Sequence, residues 1–375
     1  MSTKDSFLAD IPNNEYEVFF GKKIFNKFSN EIKKKTSNKD ILIISDSCFK
    51  TSYSKSLSKN LKKEGFNPIL FFTDAGKVNK TFNEVLNIYG ILEENNFARD
   101  ATIIAIGGGT VGDMAGFVAS TWYRGMNLVH VPTTMMAMVD SCLGGKVAVN
   151  FRESINAIGN YYHPLFIVID LHFLYSLSKR DYISGLSEII KCALISESDL
   201  FSYLKSNLKL IKKDSLKKNI EIIRSTLLIK LEHVKNDVFE SNKRLFLNYG
   251  HTFGHPIEAA TQQNNIERVR HGEAVALGII ASLHASNLIF GLSLKFIEEV
   301  KEIMKYLEIP CFIKAKSVGY DRETLIEKCI SLVKKDKKRT SNKVRFILIK
   351  EQGKPLIFSD LSSEQLKSCY QQVIR

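Results

Sequence analysis

Three histidines and one glutamate are the residues of this chain best suited to hold a metal ion. His251 and His255 lie four residues apart in LNYGHTFGHPIE, His271 opens HGEAVALG, and Glu188 lies in GLSEIIK. A catalytic zinc ion usually has three protein ligands and keeps one position for substrate or water, so one of the three histidines would be spare. Composition does not identify the spare one, and for each of them a core histidine bonded to backbone groups is the competing interpretation.

Glu188 and Lys191 lie three residues apart and therefore share one face of a predicted helix. Such a pair is usually an exposed ion pair. The apolar residues at positions 186, 189, 190 and 194 indicate instead that this helix is largely buried. A buried glutamate and a buried lysine need partners, and a metal ion or a charged substrate would provide them.

The stretch AIGGGTVGDMAG, residues 105–116, lies where a predicted strand meets a predicted helix. Consecutive glycines allow the backbone to approach a diphosphate, and the helix N-terminus offers N–H donors and a positive dipole. The spacing differs from G-x-G-x-x-G, and glycines can simply form a tight turn, but the strand–turn–helix context favours nucleotide binding. Asp46 ends an earlier strand, where it could bind a cofactor hydroxyl or, equally well, cap a helix.

The elements that must position these residues fall into two halves. Continuous apolar runs predict buried strands at residues 40–46, 67–76, 101–110, 127–134 and 165–171. Such strands with helices between them are typical of a parallel sheet covered on both faces. From about residue 176 the pattern is helical, at residues 185–195, 219–237, 271–290 and 295–309, before an edge hairpin at 343–355. We therefore predict an α/β domain over residues 1–175 and a mainly helical domain over residues 176–375.

Charge and composition exclude several classes of protein. The net charge is +13, but the lysines are spread along helix-like segments without a zinc finger, an aromatic RNA-binding signature or a basic tail, so we expect no nucleic-acid partner. No uninterrupted apolar stretch reaches the roughly 18 residues that a membrane span needs, and the first residues show no signal-peptide pattern. The six cysteines are scattered without a C-x-x-C pair, which indicates reduced thiols. We predict a cytoplasmic protein with no membrane partner.

Five segments occur together in a recognisable order. GGGTVGDMAGFVASTWYRG, VPTTMMAMVDSCLGGKVAVN, GLSEIIK, FLNYGHTFGHPIEA and HGEAVALG resemble, in order and approximate spacing, the 3-dehydroquinate synthase family of the sugar-phosphate cyclases. The resemblance runs from about Asp46 to about Lys338. It implies a Rossmann-like parallel-sheet domain that binds NAD and a helical domain that binds a divalent metal, zinc with cobalt as the alternative.

The resemblance also implies a reaction. The family's substrate is 3-deoxy-arabino-heptulosonate 7-phosphate, a seven-carbon keto-acid phosphate. NAD oxidises one carbinol transiently, phosphate is eliminated, the ketone is reduced again, and an intramolecular aldol step forms 3-dehydroquinate. The positions that match the family's metal ligands are Glu188, His251 and His271, which leaves His255 for hydrogen bonding or proton transfer.

The resemblance also implies the other functional positions of the chain. The cofactor-binding positions correspond to Asp46, Lys80, Gly107, Gly108, Gly109, Asp113, Thr133, Thr134, Asp140 and Lys146. The substrate-binding and catalytic positions correspond to Lys146, Asn156, Lys191, Lys230, Glu240, Arg244, Asn248, His255 and Lys337. Arg124 matches an arginine that reaches the phosphate site of the neighbouring subunit, so the resemblance implies a homodimer.

Two alternatives to the keto-acid substrate follow from related enzymes. Arg244 matches the position that pairs with the substrate carboxylate, a group that a guanidinium suits. Cyclases of carboxylate-free sugar phosphates, such as 2-deoxy-scyllo-inosose synthase and valiolone-type synthases, tend to lack this arginine and Asn248, so the keto-acid is favoured. A metal-dependent polyol dehydrogenase is the lesser alternative. The chain departs from the family at Ile155, which replaces an active-site lysine, at Lys77, which replaces a ribose-binding glutamate, and at Pro256, which replaces an alanine.

Overall fold

The structure, a computed structural model, describes residues 5–24, 29–74, 76, 79–152, 154–263, 266–337, 344–359 and 361–375. Two compact units are formed by Met1–Ser178 with Asn219–Ile223 and by Lys179–Lys218 with Arg224–Arg375. The domain boundary near residue 175 stays a prediction. Lys77 lies outside the described residues, and the side chain of Lys337 is not among those described.

The first unit is built around a parallel sheet. Its described strands are β1 (Asp5–Ile11), β2 (Asn14–Gly21), β3 (Asp40–Asp46), β4 (Asn67–Thr73), β5 (Thr102–Gly107), β6 (Asn127–Pro132), β7 (Lys146–Phe151), β8 (Ser154–Tyr161) and β9 (Phe166–Asp170). Seven of them form one sheet in the order β1-β2-β9-β6-β5-β3-β4, and all its neighbours are parallel except β1 and β2. The predicted α/β class is therefore confirmed, and the five predicted strands all lie in this sheet.

Helices of the first unit cover the sheet and bury its apolar side chains. They are α1 (Ser29–Lys35), α2 (Tyr53–Lys63), α3 (Phe82–Glu94), α4 (Gly109–Thr121) and α5 (Phe173–Ser176). Strands β3 and β5 share one apolar core with α3 and α4, which includes Leu42, Ile103, Ile88 and Met114. Every residue of β5 is buried, as expected for a central strand covered on both faces.

The carboxyl ends of three neighbouring strands form the edge that is relevant to function. β3 ends at Asp46, β5 at Gly107 and β6 at Pro132, and β5 pairs in parallel with both of the others. Parallel strands end at the same edge of a sheet, so the residues that follow them lie together. In open α/β sheets this edge is where ligands bind.

Two hairpins of the first unit were not predicted. β1 and β2 are joined at Pro12 and Asn13, and Asn13 has a left-handed φ of 62° that suits a tight turn. β7 and β8 form a separate two-stranded sheet, which begins at Lys146 and carries Asn156. The second hairpin therefore holds two of the predicted site residues.

Buried His130 is expected to make the folded protein sensitive to acid. The side chain lies in β6, and burial lowers its pKa from the ordinary 6.5 to about 4. Between these values the unfolded chain binds a proton that the folded protein does not. The contribution of His130 to the free energy of unfolding is therefore fully present above pH 6.5 and is lost as the pH decreases towards 4. This loss approaches roughly 3 kcal/mol, since one pKa unit corresponds to about 1.4 kcal/mol.

His130→Gln should reduce this pH dependence, measured as the free energy of unfolding by urea at several pH values between 4 and 7.5. His284, whose pKa is also lowered to about 4 by burial, contributes in the same pH range, so His284→Gln is the parallel variant. Each single variant should remove part of the slope and the double variant more than either, while His251 and His233, whose pKa values burial also lowers, keep the rest. A slope that His130→Gln leaves unchanged would contradict the assignment.

The second unit is mainly helical, as predicted. Its helices are α6 (Lys179–Ile195), α7 (Leu200–Asn207), α8 (Leu216–Lys235, except Asn219–Ile223, which belongs to the first unit), α9 (His251–Thr261), α10 (His271–Phe290), α11 (Leu294–Tyr306), α12 (Arg322–Lys337) and α13 (Ser363–Val373). Its described strands are β10 (Gln262–Gln263), β11 (Ile266–Glu267), β12 (Arg345–Ile349) and β13 (Pro355–Ser359). The predicted late hairpin exists, but β12 and β13 form a two-stranded sheet of their own and not the edge of a larger one.

Helix α10 is the central helix of the second unit. It packs against α6, α9, α11 and α13. Of the described helices, it alone is long and apolar enough to cross a membrane, and 67% of its most apolar window is buried inside the protein. Such burial is typical of the core helix of a soluble protein.

Candidate active site

Two glycines allow the helices that carry the candidate metal ligands to approach one another closely. A Cβ atom at Gly278 of α10 would lie 1.8 Å from the carbonyl oxygen of Gly250, just before α9. A Cβ atom at Gly272 would lie 1.9 Å from the carbonyl oxygen of Ser184 in α6. Because both obstacles are backbone atoms, any larger residue would separate the helices. The close packing brings the first residues of α9 and α10 next to the middle of α6.

The predicted metal ligands converge at this point. Nε2 of His251 lies 3.7 Å from Oε1 of Glu188, and Nε2 of His271 lies 3.8 Å from the same oxygen. Oε1 is buried and accepts no hydrogen bond from the described part of the chain. A divalent cation between these atoms would give Glu188 the partner it needs, and a carboxylate with imidazole nitrogens is a donor set that suits zinc or cobalt. The residues present therefore fit the implied metal.

His255 lies beside the same point. One ring nitrogen from each of His251, His255 and His271 lies within 4.8 Å of the others. The rings of His255 and His251 are perpendicular, with centroids 5.1 Å apart, and His255 is exposed. By distance, His255 could be the third ligand in place of Glu188. The ligand set Glu188, His251 and His271 therefore remains a prediction.

The other ring nitrogen of each predicted ligand is already occupied. Nδ1 of His251 lies 3.2 Å from the carbonyl oxygen of Tyr249, and Nδ1 of His271 lies 3.1 Å from Oε2 of Glu258. Burial, and next the charge of Lys191, lowers the pKa of His251 well below its ordinary value. The neutral imidazole is the form that binds a metal ion.

Lys191 pairs with Glu188 inside α6. Its Nζ contacts Oε2 of Glu188, and the two side chains are only 2% and 1% exposed. The apolar residues around them on α6 are buried too, so the pair lies in the interior. A buried ion pair of this kind needs further partners to offset its desolvation, as a cation and an anionic substrate would.

Asp237 organises the loop between α8 and α9, and sequence analysis did not select it. Its carboxylate accepts hydrogen bonds from the backbone N–H groups of Ser241, Asn242 and Arg244, at 2.9, 2.6 and 3.0 Å. The hydroxyl of Ser241 donates a further hydrogen bond at 2.9 Å. Burial raises the pKa of Asp237, but these hydrogen bonds outweigh it, and the pKa is lowered.

Three predicted substrate residues belong to this loop. The side chain of Asn248 donates a hydrogen bond of 3.0 Å to Oε1 of Glu240, whose backbone is left-handed with φ 58°. Arg244 is 1% exposed, and one guanidinium N–H donates to the carbonyl oxygen of Val238 at 2.6 Å. The structure thus places a buried guanidinium and a paired carboxylate and amide on one short segment.

In the first unit, Lys80 joins two other predicted residues. Its Nζ lies 2.5 Å from Oδ2 of Asp113 on α4 and 2.5 Å from Oδ1 of Asn156 on β8. Lys80 is buried, whereas Asn156 is exposed with a left-handed φ of 53°. The backbone N–H of Asn156 donates a hydrogen bond of 3.0 Å to Oδ1 of Asn150. The three side chains therefore form one network.

The glycine-rich turn leads directly from β5 into α4. Gly108 is the N-cap of α4, and a Cβ atom at Gly109 would lie 3.0 Å from Oγ of Ser141. The side-chain hydroxyl of Thr134 accepts a hydrogen bond of 3.2 Å from the backbone N–H of Ala137. A helix N-terminus that follows a glycine-rich turn suits a diphosphate, so the strand–turn–helix fits the implied NAD. Asp46 accepts from the N–H of Cys48, which is the capping role that the sequence left open beside cofactor binding.

The remaining predicted residues lie at varied positions in the fold. Thr133 is buried directly after β6, Asp140 lies in a helical turn at Ala137–Ser141, and Lys146 is exposed at the start of β7. Lys230 is buried on α8. Arg124 is exposed after α4, in a tight left-handed turn with φ 65°. Their functional roles stay predictions.

Comparison with known sequences places the chain in a family. The profile described as 3-dehydroquinate synthase N-terminal matches residues 70–184, and the profile described as 3-dehydroquinate synthase C-terminal matches residues 185–339. The chain belongs to the 3-dehydroquinate synthase family. The resemblance found in the motifs is therefore confirmed.

Individual relatives match this family member over nearly its whole length. The 3-dehydroquinate synthase of Thermoanaerobacter sp. (strain X514) is 38% identical over 368 residues, 97% of this chain and 99% of that one. The one from Caldanaerobacter subterraneus subsp. tengcongensis is 34% identical over 366 residues, with the same coverages. A solved 2-deoxy-scyllo-inosose synthase, complexed with carbaglucose-6-phosphate, NAD+ and Co2+, has a TM-score of 0.86 and 25% identity over 98% of this chain and 100% of that one.

Sequence reasoning missed Glu258 as well as Asp237. Glu258 lies seven residues after His251, which is two helical turns along the same face of α9. That spacing was a usable signal. Asp237 had no comparable signal, because its hydrogen-bond partners are mainly backbone N–H groups, and these are the same whatever residues the sequence has there.

Gly272→Ala should damage the metal site through the packing of α10 on α6. The new Cβ would meet the backbone of Ser184, so α10 must move away from α6, and overpacking of this kind costs about 1–3 kcal/mol. We expect weaker zinc binding and a lower free energy of unfolding, measured by chelator competition and urea denaturation. Gly90→Ala in α3 is the control, because nothing lies within 4 Å of its Cβ position. Equal results for both variants would contradict the role of the close approach.

Proposed function

We propose that this family member converts 3-deoxy-arabino-heptulosonate 7-phosphate into 3-dehydroquinate and phosphate. It is an NAD- and metal-dependent, phosphate-eliminating carbon–oxygen lyase, and its product belongs to the shikimate pathway of aromatic amino acid biosynthesis. The observation that carries the proposal is the meeting of Glu188, His251 and His271 in a chain that matches both 3-dehydroquinate synthase profiles.

The cofactors follow from the family and from the two sites. NAD is assigned to the carboxyl edge of the parallel sheet and zinc, with cobalt as the alternative, to the histidine cluster. The similar 2-deoxy-scyllo-inosose synthase binds NAD+ and Co2+, which supports both assignments. When bound, NAD would accept a hydride from the carbinol carbon and return it, and the cation would polarise the oxygen attached to that carbon.

The protein's own residues have mainly to bind anions and to hold protons. Lys191, Lys230 and Arg244 are buried cations of the second unit, and such groups bind phosphate and carboxylate strongly because little water competes. His255 is exposed beside the predicted ligands, where it can hold or pass a proton at a ring nitrogen. We assign binding and orientation to the lysines and to Arg244, and proton transfer to His255.

Arg244, Asn248 and the replacement of a family lysine by Ile155 bear on the choice of substrate. Arg244 and Asn248 favour a substrate with a carboxylate. Ile155, which is 46% exposed, brings no charge to the hairpin. Lys80, however, holds the adjacent Asn156, so a positive charge is kept beside it. We therefore retain the keto-acid and expect Ile155 to be compatible with turnover.

We also propose a cytoplasmic homodimer in which Arg124 reaches the active site of the partner. Its side chain is exposed, which supports such a role. No nucleic-acid or membrane partner is proposed.

Purified protein with zinc, NAD and 3-deoxy-arabino-heptulosonate 7-phosphate tests the proposal. Phosphate release is followed by a coupled assay and the organic product is identified by NMR. We expect 3-dehydroquinate and phosphate in equal amounts, without standing NADH. No turnover by a preparation that demonstrably binds zinc and NAD would refute the keto-acid assignment.

The same preparation separates the alternatives. A sugar-phosphate cyclase would release phosphate from heptulose or hexose phosphates and not from the keto-acid. A polyol dehydrogenase would accumulate NADH from a polyol, which a cyclase does not do because the hydride is returned. Arg244→Ala should abolish the keto-acid reaction only.

A further inference from the structure

We propose that Glu258 is the positioning residue of the metal site, which fixes His271 in the tautomer and orientation that present Nε2 to the ion. Glu258 has no assigned role and is not itself a proposed ligand. The inference rests on the proposed metal site, and it concerns how this chain prepares one ligand before any ion binds.

The geometry assigns the ring hydrogen of His271. Oε2 of Glu258 lies 3.1 Å from Nδ1 of His271, and an ionised carboxylate can only accept a hydrogen bond. Nδ1 therefore carries the hydrogen, and the lone pair is left on Nε2. That nitrogen lies 3.8 Å from Oε1 of Glu188, on the side where His251 also presents its Nε2.

His251 has the same arrangement with a different acceptor. Its Nδ1 faces the carbonyl oxygen of Tyr249, two residues earlier, so the backbone at the start of α9 fixes that ring. His271 is the first residue of α10, and the acceptor for its ring comes from another helix, 13 residues earlier in the chain. Of the two histidines, His271 is thus the one whose ring orientation depends on a side chain, which a substitution can remove.

The position of Glu258 in the fold keeps its carboxylate next to the ring of His271. It is 7% exposed and stands on α9, the helix that packs most closely against α10. The start of α10 is fixed separately, because Glu273 accepts a hydrogen bond of 2.9 Å from the backbone N–H of Arg270 and is paired with Arg180. The backbone of His271 is therefore placed by Glu273, and its ring by Glu258.

Replacement of Glu258 tests the inference through metal affinity. Glu258→Ala removes the acceptor, and loss of such a partner typically weakens metal binding about 10- to 100-fold. Glu258→Gln keeps an acceptor oxygen and should stay within about threefold of the wild type. Glu299→Ala, which removes a carboxylate paired with Lys205 on the second unit's helix α11, is the matched control and should not change the affinity. Zinc affinity is measured by chelator competition and Co2+ coordination by visible absorption.

The outcomes separate the inference from the proposed function. A wild type that binds zinc while Glu258→Ala binds it equally well would overturn the inference and leave the metal site intact. Equal losses in the Gln and Ala variants would also overturn it, because charge and not the hydrogen bond would then be responsible. A wild type that binds no zinc would refute the metal site itself.

The metal-free protein gives a measurement that depends on neither metal nor turnover. Nitrogen-15 NMR of labelled histidines reports which ring nitrogen carries hydrogen. In the wild type and in Glu258→Gln, the signal of His271, assigned with His271→Asn, should show hydrogen on Nδ1. Hydrogen on Nε2 in the wild type would overturn the inference even if Glu258→Ala does not fold.

Discussion

Glu188→Gln should remove metal binding and turnover together and also destabilise the fold. The substitution replaces the carboxylate that both histidines face by a weak ligand, so zinc affinity should fall by more than the roughly 100-fold that loss of an outer partner costs. A bound cation contributes several kcal/mol to oxidation of the substrate, so turnover should fall by about three orders of magnitude. The side chain of Lys191 loses its buried carboxylate at the same time, which costs about 3–5 kcal/mol.

A double-mutant cycle with Lys191→Met separates these effects. In Glu188→Gln with Lys191→Met, both charges are gone, so the free energy of unfolding should recover by about 3–5 kcal/mol relative to Glu188→Gln alone, because no uncompensated charge stays buried. Zinc affinity should not recover. Lys191→Met alone should bind zinc at least as tightly as the wild type, because a positive charge beside the ion is removed, yet it should lose turnover as a proposed substrate-binding residue.

Glu31→Gln provides the control for the pair. Glu31 lies three residues before Lys34 in α1 and is also buried, but it belongs to the first unit. It should leave zinc affinity unchanged. Chelator competition, urea denaturation and phosphate release are measured on all variants. Zinc binding by Glu188→Gln at wild-type affinity would show that the third ligand is another residue, with His255 the first candidate by distance.

The large sheet was predictable because its signal is local. Strands such as β3 and β5 consist mostly of consecutive apolar residues. Strands of this kind are typical of parallel sheets that helices cover on both faces. The hairpins lacked this signal. β1 mixes apolar and charged residues, and β8 is mostly exposed and has no regular alternation of apolar and polar residues. An exposed strand has no buried face to impose a pattern on the sequence, so β8 was missed although it carries Asn156.

The residue types of the site were predictable, but their arrangement was not. His251 and His255 are visible as a helical pair, and His271 and Glu188 are visible as unusual residues near helix starts or in an apolar helix. That they meet depends on Gly272 and Gly278, whose short contacts join residues far apart in the chain. Contacts of this kind are set by tertiary packing, which leaves no period in the sequence. Family resemblance supplied the selection that residue types could not.

The substrate carboxylate should be what Arg244 recognises, so Arg244→Lys is expected to lower kcat/KM for the keto-acid phosphate about 100- to 1,000-fold. A guanidinium can bind a carboxylate through two parallel hydrogen bonds, whereas an ammonium is a point charge. Loss of such charged hydrogen bonds costs about 1.5–3 kcal/mol each, and each 1.4 kcal/mol is a factor of ten. Lys243→Ala, an exposed neighbour in the same turn, should change kcat/KM less than about twofold and serves as the control.

An analogue with the carboxylate replaced by a hydroxymethyl group distinguishes recognition from structure. Wild-type protein should turn this analogue over poorly, and Arg244→Lys should lower the rate little further, because the lost interaction is already absent. The backbone N–H of Arg244 keeps its hydrogen bond to Asp237 in the variant, so the loop should stay folded, and thermal melting checks this. Equal losses on both substrates would mean that the buried guanidinium acts through its hydrogen bond to the Val238 carbonyl and holds the loop. Undiminished turnover of the keto-acid would remove the main reason for preferring it, because Arg244 would then not distinguish this protein from the carboxylate-free sugar-phosphate cyclases.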